Sequence, residues 1–522
     1  MREEFREFYN DWMNNSKHWF SFSLEFDNYI KSKYGHLIDF NFNDINDNSN
    51  DANDIITQIL IYDQLTRHYY RRCGYSNHII TYFNRKALKI AEEYKNDVFI
   101  SNLDYNNWIF YMLVFRHTNE REHLLFVMNE IWKRKELPLK SFIKATYMRA
   151  NFIDKFDDSN DSNDFDRNIL EYNPDNYFSS DGNNNKIIGD YSELEKEINK
   201  NNLIILSLSG GVDSVSCLYH LSKLTSNLIA VHINYNNREE TKEEVKFLRF
   251  ICKNLNIKLY VRTITEIKRK QANDNDLRDV YESYTKKIRF NSYKQAFINH
   301  NHDNNDKKPI VVLGHNKDDC FENILTNISY KNKYENLKGI ELRTEIDGID
   351  FHRPLINVSK NDIYEYSRNN NIPYLNNSTP EWSQRGKIRS SVVPVLEKWD
   401  KRIIGGLFDL SDVLRDLHLN LKSSINNFNE YHKDINLENF NLSLLYWKYG
   451  IFKLYNTYPS NKSLISLIER FKLWKSNYDK LELHKKTKII INKNIYLEIW
   501  KCRKNCYSII IYNRNNYYNP FD

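Results

Sequence analysis

At 522 residues the chain has room for about two to four domains, so a single small binding module is excluded. Its 75 Lys and Arg against 69 Asp and Glu leave a formal charge of +6, so whole-chain charge selects no polyanionic partner and any nucleic-acid surface has to be local. Met1-Arg2-Glu3-Glu4-Phe5 lacks the apolar stretch of a secretory signal and no run approaches bilayer length; Cys73, Cys217, Cys252, Cys320, Cys502 and Cys506 form no Cys-x2-Cys pair, which points to a reducing, cytoplasmic setting.

Three polar tracts punctuate the chain: Asn41 to Asp54, Asp154 to Asn185, and Asn299 to Lys308. The second is the longest, and its Asp, Asn and Ser cannot bury enough apolar area to offset chain entropy. It places an all-helical domain at 1–153, a polar acidic linker at 154–194, an α/β domain at 195–400 and an α+β region at 401–522. Helical spacing recurs in the first of these at Ile55, Ile56, Ile59 and Leu60, and at Leu124, Val127, Met128 and Ile131. Asp63-Gln64-Leu65-Thr66-Arg67-His68-Tyr69-Tyr70-Arg71, with Phe110-Tyr111-Met112 and Phe115-Arg116-His117-Thr118-Asn119-Glu120, resembles a bacterial family of small tetratricopeptide-like helical proteins without a settled activity. Asp63, Arg67, His117 and Glu120 suit either a buried ion-pair cluster or a binding site. Buried pairing is the simpler reading, and no catalytic role follows from it.

From Leu203 the pattern changes to β/α alternation. Leu203–Leu206, Leu228–Val231, Leu259–Val261 and Ile310–Leu313 are short apolar runs separated by helical segments, as a doubly wound parallel sheet requires. Ser209-Gly210-Gly211-Val212-Asp213-Ser214 joins the first run to a helix. Adjacent glycines permit a tight turn that brings backbone N–H groups to an anion, and the helix N-terminus adds partial positive charge. There is no Gly-x4-Gly-Lys-Ser/Thr spacing, hence no lysine placed to follow a transferred γ-phosphate.

This string resembles that of the PP-loop ATP pyrophosphatases, in which ATP activates a substrate oxygen as its AMP ester and pyrophosphate leaves. Further segments are similar, in order, to the tRNA(Ile)-lysidine synthetases. His232-Ile233-Asn234-Tyr235-Asn236-Asn237-Arg238 stands where that family has His-x-Asn-His-Gly-Leu-Arg, and Thr241 with Glu244 reads as a capping box. Glu282 to Phe290 resembles Glu-x-x-Ala-Arg-x-x-Arg-Tyr, with Lys286 in place of an arginine and Arg289 retained. Gly314-His315-Asn316-Lys317-Asp318-Asp319-Cys320-Phe321-Glu322 opens a helix and puts Asp319 and Glu322 on one face, where carboxylates can hold an ammonium group or Mg²⁺. Leu337-Lys338-Gly339-Ile340, Arg353-Pro354-Leu355, Asn376-Asn377-Ser378-Thr379 and Arg385-Gly386-Lys387-Ile388-Arg389 with Pro394 continue the series.

The resemblance implies ATP contacts from Ser209, Gly210, Gly211, Val212, Asp213, Ser214, His232, Asn234 and His315, with Mg²⁺ at Asp213. It implies L-lysine recognition by Asp319 and Glu322, tRNA contacts from Lys286, Arg289, Arg385 and Arg389, and catalytic roles for Asp213, Asp319, Glu322 and Arg289. The implied reaction is ligation of lysine to C2 of the wobble cytidine of a CAU-anticodon tRNA. Two alternatives stay open: a thiolase on the same loop, for which Cys320 alone is plausibly placed, and a tRNA-binding scaffold with a decayed site, which Tyr235, Lys286 and Gly386 keep in view. After Lys401, helical patterns at Leu407, Leu410, Leu414 and Leu417 and at Leu464, Leu467, Ile468 and Phe471 lead into strands near Ile489 and Ile509. There His484, Lys485, Lys486, Lys488, Lys501, Arg503 and Lys504 interleave with Tyr496, Trp500 and Tyr507, a mixture that suits RNA backbone and bases as well as a solvated sheet face.

Overall fold

A computed structural model describes residues 3–20, 23–40, 51–71, 76–134, 136–150, 156–157, 164–178, 188–301, 308–330, 336–376 and 384–513. Cys73, Asn377, Ser378, Thr379 and parts of each of the three polar tracts lie outside them. The chain forms two compact units, one of residues 1–317 with 341–378, the other of 318–340 with 379–522.

The first unit begins with helices, among them Leu24–Tyr34, Ala52–Ile59, Ser76–Glu93, Tyr105–Thr118, Arg121–Lys133 and Lys140–Arg149. Their starts are set by short polar side chains: Ser23 accepts from Phe26 N–H and Asp104 from Asn107 N–H. Tyr105–Thr118 is apolar on every side, and all residues from Asn107 to Arg116 are buried, so it forms the centre of this helical layer.

The sheet that follows has six strands, β1 (Ile204–Ser207), β2 (Leu228–Asn234), β3 (Lys258–Thr263), β4 (Ile310–Leu313), β5 (Arg343–Ile346) and β6 (Ile349–His352), in the order β3-β2-β1-β4-β6-β5. All neighbours are parallel except the β5–β6 hairpin, whose Asp347 and Gly348 turn has φ of 52° and 76°. The helices are α1 (Val212–Leu224), α2 (Thr241–Asn254), α3 (Arg278–His300) and α5 (Lys360–Asn369); α4 (Lys317–Ser329), next after β4 in the chain, belongs from Asp318 on to the second unit. Alternate residues bury both sheet faces, as the period of two requires. Ile204, Leu206, Ala230 and Val312 pack with Leu218 of α1, Phe247 and Ile251 of α2 and Ile363 of α5. Ile205, Ile229 and Val311 join Tyr293 of α3 in an apolar cluster that continues without a break into the N-terminal helices. Tyr147 is one link: its ring lies 4.9 Å from that of Tyr284, and its hydroxyl donates to the Glu266 carbonyl at 2.7 Å. The two patterns that a polar tract separates in sequence thus share apolar packing.

The second unit includes helices Arg402–Asn426, Leu444–Tyr455 and Asn461–Ser476, and an antiparallel sheet of β7 (Tyr431–Asn436), β8 (Thr487–Ile490), β9 (Ile495–Arg503) and β10 (Cys506–Asn513), in the order β8-β9-β10-β7. Leu497, Ile499, Ile509 and Ile511 pack on Leu464, Leu467 and Phe471. The expected architecture, helices then a largely parallel α/β sheet then an α+β region, is the one observed. Among the described residues no helix is long and apolar enough to cross a membrane.

Candidate active site

The chain leaves β1 and reverses direction across the sheet between β1 and β4, since β2 and β3 lie on one side of β1 and β4 on the other. Such a reversal opens a crevice at the strand carboxyl ends. The Ser209–Ser214 loop follows β1 and Gly314-His315 follows β4, so both segments border it.

The loop's shape comes from its own side chains. Gly210 sits at φ +87°, and a Cβ there would lie 2.3 Å from Leu375 Cδ1, so only glycine fits. Its carbonyl accepts from Leu375 N–H at 3.0 Å. The Ser214 hydroxyl accepts from the N–H groups of Ser209 and Gly210, at 3.2 and 3.1 Å, and donates to the Gly211 carbonyl at 3.0 Å. Ser214 was expected among the phosphate contacts; here its hydroxyl is an internal brace for the turn. Gly211 caps α1 without a side chain, so the N–H groups of the helix's first turn, which have no intrahelical partner, stay directed beyond its end. A Cβ on Gly314 would lie 3.1 Å from Ser214 N, and this close approach seats the turn after β4 against the start of α1.

Asp213 is more constrained than its sequence position suggests. Its Oδ2 lies 2.6 Å from the Lys360 ammonium and its Oδ1 accepts from Asn316 Nδ2 at 2.9 Å. Both oxygens are therefore engaged, and a cation can bind this carboxylate only by displacing or sharing with Lys360. The loop fits a polyphosphate; the groups around Asp213 do not fit a resident Mg²⁺, contrary to the expectation for this residue. Lys360 was not anticipated. Ser359 and Asp362 mark a helix start, but nothing local pairs Lys360 with a residue 147 positions earlier.

At the end of β2, His232 is buried and Nδ1 lies 2.8 Å from the Leu208 carbonyl. Burial holds its pKa below the ordinary imidazole value, so the ring is neutral, Nδ1 carries the proton and Nε2 is left as an acceptor. Asn234 Oδ1 accepts from Asn236 N–H at 2.8 Å, setting the turn in which Asn236 has φ 49°. The expected capping box is absent: Glu240 precedes the first turn of α2, Thr241 donates to the Arg238 carbonyl, and Glu244 pairs with Arg238 at 2.7 Å. On α3 Lys286 is exposed and Arg289 half-buried, each over the Phe290 ring, and Tyr293 donates to Ser207 at the end of β1. His315 is half-buried.

In the second unit α4 brings Asp319 and Glu322 together, both buried. Arg389 spans them, donating to Asp319 Oδ1 at 3.1 Å and to Glu322 Oε1, while Arg385 approaches Asp319 at 3.7 Å. Glu322 Oε2 is buried and has no hydrogen-bond partner among the described residues. Desolvation raises the Glu322 pKa above its ordinary value, partly offset by Arg389. Arginines expected at RNA phosphates thus face the carboxylates expected at the amine. The Cys320 thiol accepts from Ile340 N–H at 3.2 Å and burial raises its pKa, which makes it a structural contact and a poor thiolate.

The β8–β9–β10–β7 sheet turns its half-exposed face outward with Tyr496, Glu498 and Trp500 in alternation. Lys488 lies 3.8 Å above the Tyr496 ring, Tyr496 stacks on Tyr512, Tyr431 stacks on Trp500, and Lys486 pairs with Glu498 at 2.9 Å. Lys501 is turned onto Tyr478, and Tyr507 is buried, so neither joins this face. Cys502 and Cys506, dispersed in the sequence reading, converge with Asp434, their ligand atoms within 4.8 Å of one another.

Residues 183–396 match the family model of the PP-loop domain, and residues 5–158 match that of a bacterial protein of unknown function, DUF924. The tRNA(Ile)-lysidine synthase of Mycoplasma mycoides subsp. mycoides SC is 25% identical over 323 residues, 58% of this chain and 76% of that protein. Those of Malacoplasma penetrans and Mycoplasma genitalium are 27% and 30% identical over 199 and 203 residues, each covering 38% of this chain and 62% of the relative. The chain thus spans less than two thirds of the length of two of these three relatives. The loop, the strand reversal and the domain match define a PP-loop protein, a class that uses ATP. Within that class the chain is similar to the tRNA(Ile)-lysidine synthases, and residues 5–158 match the DUF924 family.

Proposed function

We propose that this protein is a tRNA-modifying ligase that joins L-lysine to C2 of the wobble cytidine of a CAU-anticodon tRNA. The C2 oxygen attacks the α-phosphorus of ATP and pyrophosphate leaves; the lysine ε-amine then adds at C2, loses a proton, and AMP departs with the former C2 oxygen. Residues 211–213 would hold the polyphosphate through backbone N–H groups, the N–H groups of Ser209 and Gly210 being taken up by the Ser214 brace, and charge developing on pyrophosphate would be stabilised by the α1 N-terminus and Lys360. Mg²⁺ would arrive with the nucleotide's own phosphates as ligands, and no step here depends on Asp213 binding it.

The observation that carries the choice of an amine as nucleophile is the Asp319–Glu322 pair, and within it the buried Oε2 of Glu322 without a hydrogen-bond partner. A carboxylate oxygen removed from water calls for a donor, and an ammonium group supplies both proton and charge. Recognition of the tRNA would draw on Lys286, Arg289 and the aromatic and basic face of the C-terminal sheet. The test is mass spectrometry of nucleosides after incubation with ATP, lysine and a CAU-anticodon tRNA. Lysidine is the expected product; 2-thiocytidine, formed with a sulfur donor added and not with lysine, would overturn the reading.

A further inference from the structure

The helical region holds a charge imbalance that the ligase chemistry does not use. Asp63 sits in a π-helical turn, Leu60–Leu65, with its carboxylate fully buried. Such turns inside α-helices are frequent at functional sites. Arg67 Nε and Nη2 donate to Asp63 Oδ1 at 3.1 and 3.0 Å, Asn84 Nδ2 at 3.1 Å, and His117 Nδ1 at 2.9 Å, while Gln64 donates to Oδ2. Glu120, expected in this cluster, is exposed and instead lies 3.3 Å from His123. One carboxylate is therefore saturated by four side-chain neighbours on its own.

Two more arginines are within its electrostatic reach, one of them in the same helical turn as His117. Arg116, only 8% exposed, places its guanidinium 4.7 Å from the Phe142 ring centroid, and its Nε is buried with no hydrogen-bond partner among the described residues. Arg149 closes the helix Lys140–Arg149 and is exposed. Desolvation, with repulsion from Arg149 and Arg67 added to it, lowers the Arg116 pKa to about 10, and desolvation with repulsion from Arg67 lowers that of Arg149, Asp63 being the carboxylate that opposes both. His117, pushed down to about 4 by burial, adds no positive charge at neutral pH. Three guanidinium groups thus share one carboxylate. Arg116 and His117 occupy the last turn of Tyr105–Thr118, but a helix C-terminus offers only about half an elementary negative charge. A buried guanidinium N–H without an acceptor is costly, and the natural complement is an anion from outside.

We propose that Arg67, Arg116 and Arg149 form a binding site for the terminal phosphoryl group of a small molecule. Guanidinium forks match phosphate oxygens in pairs, and a dianion balances the two positive charges that Asp63 leaves over. A nucleic-acid phosphodiester fits less well: it carries one charge, and its two ester links would have to follow it to Arg116, a residue only 8% exposed. The proposal is independent of the ligase reading, since none of these residues belongs to the phosphate loop.

The test counts radiolabelled inorganic phosphate bound per full-length chain, for the wild type, Arg116→Met and Arg149→Met, with melting temperatures measured in phosphate and in chloride. Phosphate held by the loop after β1 is common to all three proteins and cancels in the comparison. Each variant should weaken one class of phosphate site by about tenfold or more, the loss expected for one charge-assisted hydrogen bond. In chloride Arg116→Met should melt no lower than the wild type, because an unpartnered buried charge has been removed; in phosphate it should gain less than the wild type does. A phenyl phosphate titration separates an ester from free phosphate: competition by both at the same site identifies a terminal phosphoryl group, and binding of the free ion alone identifies inorganic phosphate as the ligand, either supporting the site. Identical phosphate isotherms for all three proteins would overturn the proposal, as would loss of tRNA affinity with phosphate binding intact. Should Arg116→Met fail to fold, the exposed Arg149→Met decides by the same comparison.

Discussion

Replacing Lys360 by methionine keeps most of the aliphatic stem and removes the ammonium group 2.6 Å from Asp213 Oδ2. Each side chain of the pair is 21% exposed, so this is a largely buried ion pair with a solvent-facing edge. Removing one partner of a fully buried pair costs about 3–5 kcal/mol because the other charge is left desolvated. Two features reduce that figure here: the solvent edge screens part of it, and the N-terminus of α1 with Asn316 still favours the carboxylate by about 1 kcal/mol. The expected loss is about 2 kcal/mol, or roughly 5 °C in melting temperature for a domain of this size. The variant also puts an uncompensated negative charge beside the loop meant for a polyphosphate, so the KM for ATP should rise about tenfold, equivalent to about 1.4 kcal/mol. Calorimetry of Lys360→Met, Asp213→Asn and the double variant measures the pair directly, and a coupling of about 1–2 kcal/mol is expected. Additive effects of the two substitutions, with an unchanged KM for ATP in both, would refute the claim that Lys360 acts through Asp213.

Glu322→Gln and Asp319→Asn should raise the KM for lysine about tenfold or more while leaving that for ATP within about twofold, since each removes a charge facing an ammonium while keeping shape; equal changes in both constants, read from steady-state titrations, would point to a cation shared by the two substrates. His117 stays neutral in the folded protein down to about pH 4, whereas the unfolded chain protonates it below about 6.5, so the unfolded state binds more protons in that window. Stability should therefore be full above about pH 6.5 and fall on acidification towards pH 4, by about 3 kcal/mol from this group, and urea titrations of wild type and His117→Gln should show the slope in the former and a flatter profile in the latter. Tyr147→Ala removes a ring packed on Tyr284 and the hydroxyl bonded to Glu266, and should destabilise by about 3–5 kcal/mol, with the helical region and the α/β sheet losing hydrogen-exchange protection together.

What could be read from the sequence depended on whether the interacting residues were neighbours in the chain. The phosphate loop is a local device: two glycines, a preceding β run and a following helix are contiguous, so its turn was legible. The Asp347-Gly348 turn is equally local, and its left-handed backbone is what a two-residue hairpin needs, yet the motif reading of the flanking segments passed over β5 and β6. Thr241 and Glu244 show the opposite error, a correct pattern displaced by one residue because Arg238 competes for both side chains. The partner of a charge was legible only in the helical motif, where Asp63, Arg67 and His117 were grouped and do meet, while Glu120 stays out. Asp213 finds Lys360 and Glu322 finds Arg389 across separations of 147 and 67 positions, and neither pairing could be read. The family resemblance assigned the acids to an amine and the arginines to RNA, whereas Arg389 already donates to both acids.

On the proposed lysine ligation, that arrangement changes what amine recognition has to be. Asp319 and Glu322 do not form an open anionic pocket that a lysine ammonium simply enters, because Arg389 bonds both and Arg385 stands 3.7 Å from the first. An incoming ammonium either adds at Glu322 Oε2 with Arg389 in place, or exchanges with the guanidinium. Addition would put two cations against a pair of carboxylates with Arg385 as a third, a like-charge crowding that weakens binding; exchange conserves the charge balance and frees an arginine with five donors. The two routes differ in Arg389→Met. If lysine adds, the variant loses one repulsive neighbour and one structural tie, and lysine affinity changes little; if lysine exchanges, the competing cation is gone and the KM for lysine falls. A fall therefore assigns Arg389 the role of a placeholder whose release accompanies substrate entry, and it does so without asking what the freed guanidinium binds next.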